Sequence, residues 1–100
     1  MNNFKVSNIL NANGNYSPNQ YLIRTPKGMY FQSYESVVCK YDGKNLIVSN
    51  HWDYSNTTLK HLYIFLRGIG YSDLCKTTKM RKAIKEGNVI LKNVNSLDII

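Results

Sequence analysis

The chain has 100 residues, 43% of them hydrophobic, and 13 Lys plus Arg against 6 Asp plus Glu give it a formal net charge of +7. That length suits one hydrophobic core, and the spread of apolar residues along the chain excludes wholesale disorder. The longest apolar runs, such as Leu62 to Leu66, fall far short of the roughly 20 residues that cross a bilayer, and the first residues lack a secretory-signal pattern.

A single α+β domain over residues 1–100, located in the cytosol, is therefore expected. Up to about Asn50, β-branched and aromatic residues alternate with Asn, Gly and Pro, the pattern of strands and tight turns. Phe4, Val6 and Ile9 read as a first strand. Asn11 to Pro18 combines Asn-Gly with a later Pro and reads as a turn or surface loop. Tyr21 to Arg24 reads as a second strand and Met29 to Tyr34 as a third. Between them, Thr25-Pro26-Lys27-Gly28 has Pro at the second turn position and Gly at the fourth. Ser36 to Tyr41 and Leu46 to Ser49 flank Asp42-Gly43, a strong hairpin signal because Gly accepts positive φ cheaply. The connections are too short for parallel crossovers, so an antiparallel meander of about four to six strands is predicted.

After His51 the period changes. Leu59, Leu62, Tyr63 and Leu66 make one apolar stripe of a helix, with Ser55 as N-cap and Tyr54 and Leu59 as a hydrophobic staple. Gly68 and Gly70 end it. A second helix runs from about Leu74 to Glu86 and stops at Gly87. Met80, Ala83 and Ile84 fall on one side of it, whereas Lys79, Arg81, Lys82 and Lys85 spread over the other. Val89 to Leu91, with Val94, reads as one more strand.

Chemistry is sparse. Cys39 and Cys75 belong to no CxxC pair or Cys/His cluster, and Cys39 reads as a buried thiol. His51, Asp53 and His61 are the first place to seek acid–base or metal chemistry, but they have no recognised ligand spacing, and His61 lies off the apolar stripe in a surface or capping position. There is no GxSxG, Walker loop or dinucleotide fingerprint, so neither catalysis nor a cofactor is expected. Lys27 to Tyr34 partly resembles the aromatic RNP1 strand of RNA-recognition motifs. It departs at Met29 and Tyr30 and no helix precedes it, which rejects that fold but leaves Tyr30 and Tyr34 as candidate stacking or interface residues.

The segments NANGN, PNQYLI, GMYFQSY and HWDYSNTTLKHLYIFL resemble a family of short uncharacterised proteins of phages and prophages of low-GC bacteria. The resemblance runs from about Asn11 to Leu66, is most specific at Phe31 to Tyr34 and at the YSxTTxK segment from Tyr54 to Lys60, and leaves the basic helix outside. It implies no catalytic residues. It implies an accessory protein in the host cytosol that occupies surfaces of host or phage machinery, anti-CRISPR proteins being one such class. The hydroxyls of Ser55, Thr57 and Thr58 read as structural at a helix start, with phosphate or carboxylate binding there as the functional alternative.

The expected function is thus non-catalytic binding of a nucleic acid or host nucleoprotein, with no membrane partner. Lys79, Arg81, Lys82 and Lys85 would be the electrostatic contacts, helped by Lys76 and Lys92, because clustered cations become favourable only near a polyanion. The rival is a protein–protein module that uses the tyrosine-rich strands, with charge only steering association.

Overall fold

Every turn that carries a sequence signal in the first half of the chain reverses it, and the product is a six-stranded sheet in the order β1 to β6. The computed structural model of the chain describes residues 4–11 and 13–99. The strands are β1 (Lys5–Leu10), β2 (Tyr16–Thr25), β3 (Gly28–Ser33), β4 (Ser36–Tyr41), β5 (Leu46–Val48) and β6 (Ile90–Leu91). The first five pair antiparallel with their neighbours. Helices α1 (Asn56–Gly68) and α2 (Thr77–Lys85) lie between β5 and β6, so β6 returns parallel to β5.

The β2–β3 turn is held by Thr25, whose hydroxyl oxygen accepts from the Lys27 N–H and donates to the Gly28 carbonyl. Asp42 closes the β4–β5 turn by accepting from the backbone N–H groups of Asn45 and Lys44. These hydrogen bonds, that of Asn45 foremost, hold its carboxyl below the ordinary carboxylate range.

Two expectations about the meander need correction. The expected loop from Asn11 to Pro18 is shorter, since β2 already begins at Tyr16 and Ala12 lies outside the described residues. Pro18 is tolerated inside β2 because the register with β1 jumps there: β1 advances from Asn8 to Leu10 while β2 advances from Tyr21 to Tyr16. Tyr34 is not the last residue of β3. It opens the β3–β4 turn with φ 55°, and its N–H donates to the Asn19 carbonyl at 2.7 Å.

Successive residues of a strand face opposite sides. Phe31 therefore joins Cys39, Leu46 and Val48, together with Val38, the extra residue where the β3–β4 register shifts, beneath Leu62, Phe65 and Leu66 of α1 and Met80 of α2. Phe31 and Phe65 stack with centroids 6.1 Å apart. Ile23, Tyr30 and Val37 face the other way, where residues 92–99 cover them with Leu97. This C-terminal strap is fixed by hydrogen bonds from Asn50 N to Val94 O, Leu97 N to Val37 O and Val37 N to Ser96 Oγ. Both faces of the sheet are thus partly covered. No helix among the described residues is long and apolar enough to cross a membrane.

Candidate functional site

Helix α1 starts at Ser55, whose hydroxyl accepts from the Thr58 N–H as an N-cap does. The staple partner expected for Leu59 behaves otherwise: Tyr54 is 71% exposed and lays its ring on His51, with centroids 4.8 Å apart. The buried face of α1 is also turned from the predicted stripe, with Thr58, His61, Leu62, Phe65 and Leu66 inward and Leu59 and Tyr63 only partly covered.

His61, expected at the surface, is 6% exposed. Its Nε2 lies 2.8 Å from Ser17 Oγ and its Nδ1 2.8 Å from the Thr57 carbonyl. The hydroxyl of Thr58 bridges those of Ser33 and Ser55. The hydroxyls of Ser55 and Thr58 are therefore taken up in a polar seam between helix and sheet, and of the three expected at an anion site only that of Thr57 stays exposed. Ser17 and His61 have the hydrogen-bond geometry of a nucleophile and its base, but both are buried and tie α1 to β2.

His51, Asp53 and His61 each have a different partner. His51 Nδ1 is 3.2 Å from Ser36 Oγ, and Asp53 is ion-paired with Arg81 at 3.0 Å. Among the described residues no three His, Cys, Asp or Glu side chains cluster in a way that could hold a metal ion.

Helix α2 is shorter than predicted. Leu74 belongs to a separate 3-10 turn, Ser72–Leu74, and the α-helix begins at Thr77 with Lys76 in the N-cap position. Gly87, at φ 81°, stops it. Its polarity split is present: Met80 and Ala83 are buried, Ile84 is half-buried, and Lys79, Arg81, Lys82 and Lys85 are exposed.

The six cations do not form one even row. Lys76, Lys79 and Lys82 line a shallow recess of about 630 Å³ beside the 3-10 turn, together with Asp73 and Glu86. Neither carboxylate reaches ion-pair distance of a lysine, since Arg81–Asp53 is the only salt bridge among the described residues. Arg81 is further held over the Trp52 ring, 5.7 Å from its centroid. Lys92 follows β6, and its N–H donates to the Val48 carbonyl.

The two candidate aromatics part company. Tyr30 is completely buried under the strap, with Lys40 Nζ 5.4 Å from its ring centroid, so it offers no face to a partner. Tyr34 is 52% exposed and lines a cleft of about 850 Å³ with Asn19, Gln32, Glu35, His51 and Tyr54. Sequence reasoning missed His51 and Tyr54 as cleft residues. Their only signal was an aromatic next to an N-cap, which also fits a staple.

Comparison with known proteins gives one result. A family of unknown function, DUF8033, matches residues 4–87, and the chain belongs to it. The match reaches through α2, farther than the resemblance carried by the sequence motifs, and ends before β6 and the strap. No curated protein and no solved structure matches the chain.

Proposed function

We propose that this member of DUF8033 is a non-catalytic binding protein that docks α2 on a nucleic acid or nucleoprotein. Lys76, Lys79, Lys82 and Lys85 supply the electrostatic contacts, with Arg81 and Lys92 at the margins. The observation that carries the reading is the burial of Met80 and Ala83. It fixes which side of α2 faces inward and leaves Lys79, Lys82 and Lys85 exposed, without an ion-pair partner among the described residues. The cations of such a surface displace the counterions condensed on nucleic-acid phosphates, and the affinity falls as salt rises. Asp73 and Glu86 at the recess lower the local potential, so the reading rests on the net excess of cations.

The finer context we propose is that of a phage or prophage accessory protein in the bacterial cytosol, acting on a host defence nucleoprotein in the manner of an anti-CRISPR. Its support is the resemblance carried by Phe31 to Tyr34 and Tyr54 to Lys60.

The test is binding to labelled DNA and RNA oligonucleotides across a salt series. The wild type should bind at low salt. Replacing Lys79, Lys82 and Lys85 with Gln should reduce affinity and flatten the log–log salt slope by about 0.9 for each duplex phosphate that is no longer neutralised. Absence of binding to either polymer at low salt refutes the reading. A complex with one protein that survives nuclease and high salt would favour the protein–protein module instead. The observation behind that second reading is the strong exposure of Tyr16, Tyr34 and Tyr54.

A further inference from the structure

We infer that the cleft at the β3–β4 turn receives an unpaired nucleobase, so that the nucleic acid is single-stranded where it crosses this surface. The inference rests on the reading of α2 as a polyanion-binding helix and names the form of the ligand.

Two aromatic faces are held open at the cleft. Tyr34 sits at φ 55°, a conformation unfavourable for a bulky residue and usually left to Gly or Asn in turns. It is kept there by the Asn19 carbonyl, which accepts its N–H, and by the Gln32 side-chain amide, which donates to its carbonyl at 2.7 Å. Strain that places an aromatic ring in solvent rather than in a core points to a use for the ring. Tyr54 is likewise exposed, and its neighbour His51 is fixed by Ser36.

The polar groups that line the cleft suit a base and not a phosphate. Asn19, Gln32 and Glu35 line the cleft and no Lys or Arg does, so a phosphate would find no counter-charge there. Amides and a carboxylate can instead pair with the donors and acceptors of a base edge. The volume of about 850 Å³ lies within the usual range for small-ligand sites.

A single ion pair links the basic helix to one wall of the cleft. Arg81 of α2 is bonded to Asp53, and Tyr54 is the next residue in the chain. The recess lined by Lys76, Lys79 and Lys82 shares no residue with the cleft, so one strand with phosphates on α2 would reach Tyr34 and Tyr54 by way of Arg81. A cationic track with aromatic stacking platforms is the recurring design for single strands, whereas a duplex keeps its bases stacked and paired.

The experiment measures affinity for a mixed-sequence single strand and for a hairpin duplex of similar length, with wild type, Tyr34→Ala, Tyr54→Ala and Tyr54→Phe, each checked for unchanged thermal unfolding. The wild type should prefer the single strand by about tenfold or more, the scale of one or two stacked bases. Tyr54→Ala should lose that preference while duplex affinity and the salt slope stay as they were, and Tyr54→Phe, which keeps the ring, should retain it. Equal affinity for both forms, or alanine variants that bind the single strand as well as wild type, would overturn the base site and leave the α2 reading standing. Failure to bind either form at low salt would remove the α2 reading and this one with it. A purified protein partner that needs Tyr54 but binds in the absence of nucleic acid would assign the cleft to a protein.

Discussion

Ser17 Oγ and His61 Nε2 lie 2.8 Å apart in the interior, joining the start of β2 to the second turn of α1. The Thr57 carbonyl on the other side of the ring can only accept, so Nδ1 carries the hydrogen, and in the neutral ring Nε2 accepts the Ser17 O–H. Ser17→Ala leaves a buried acceptor unpaired and should destabilise the protein by about 1–3 kcal/mol. Urea unfolding of Ser17→Ala, His61→Leu and the double variant measures the coupling. Additive effects would mean that the pair contributes nothing as a pair.

Gln20 presents the opposite case. It is 1% exposed, yet neither its amide oxygen nor its nitrogen has a hydrogen-bond partner among the described residues. Gln20→Met keeps the length and removes the two orphaned groups, so stability should rise by about 1 kcal/mol or more. A lower urea midpoint would show that the amide is satisfied after all.

Gly28 is required by close approach. A Cβ there would lie 2.5 Å from the Tyr41 carbonyl oxygen, a backbone atom that cannot swing aside, and φ is 152°. Gly28→Ala should cost on the order of 2 kcal/mol or more. Gly43→Ala, with open space around its Cβ, meets only the φ penalty and should cost less in the same thermal melt. Equal costs would place the difficulty in φ alone.

Asp53 restrains Arg81. The pair is solvent-facing, with side chains 33% and 63% exposed, so Asp53→Asn should change stability by less than about 1 kcal/mol. The same change removes a negative charge beside α2 and frees a guanidinium. Affinity for polyanions should therefore increase, most at low salt. Unchanged or weaker binding would place Arg81 outside the docking surface.

Burial pushes both thiols up from their ordinary value of 9.0, Cys39 far more than Cys75. In the native protein at neutral pH, iodoacetamide should therefore leave Cys39 unmodified and react only slowly with Cys75. A thiol raised on folding stabilises the native state fully below the unfolded value and loses that contribution as pH climbs through the folded one. Stability should accordingly decline above pH 9.0. Rapid labelling of Cys39 without unfolding would contradict its place in the core.

The hairpins were legible because their chemistry is local: Pro26 and Gly28 at one turn, Asp42 and Gly43 at another, Ser55 at the start of α1. The polarity of α2 was legible for the same reason, since Met80 and Ala83 recur at helical spacing. Burial of Tyr30 was not, because what covers it is Leu97, from a segment without periodicity that follows β6. His61 escaped detection as a core residue because its partner, Ser17, is brought near only by tertiary packing. Pro18 misled because its missing N–H falls at a register jump that no short stretch of sequence announces. In the candidate site, lysine positions could be read directly, whereas the cleft needed Asn19, Tyr34 and Tyr54 from three separate segments.

The parallel return of β6 and the strap behind it sets a schedule for the nascent chain. The hydrogen bond between Val37 and Ser96 spans 59 positions, so the sheet's second face stays uncovered until the strap has left the ribosome. The hairpins of β1 to β5 can close as they emerge, but Tyr30 waits for Leu97. Ribosome-bound chains stalled before the strap should be cleaved by chymotrypsin near Tyr30, and released chains should resist; early protection would show that the meander closes unaided.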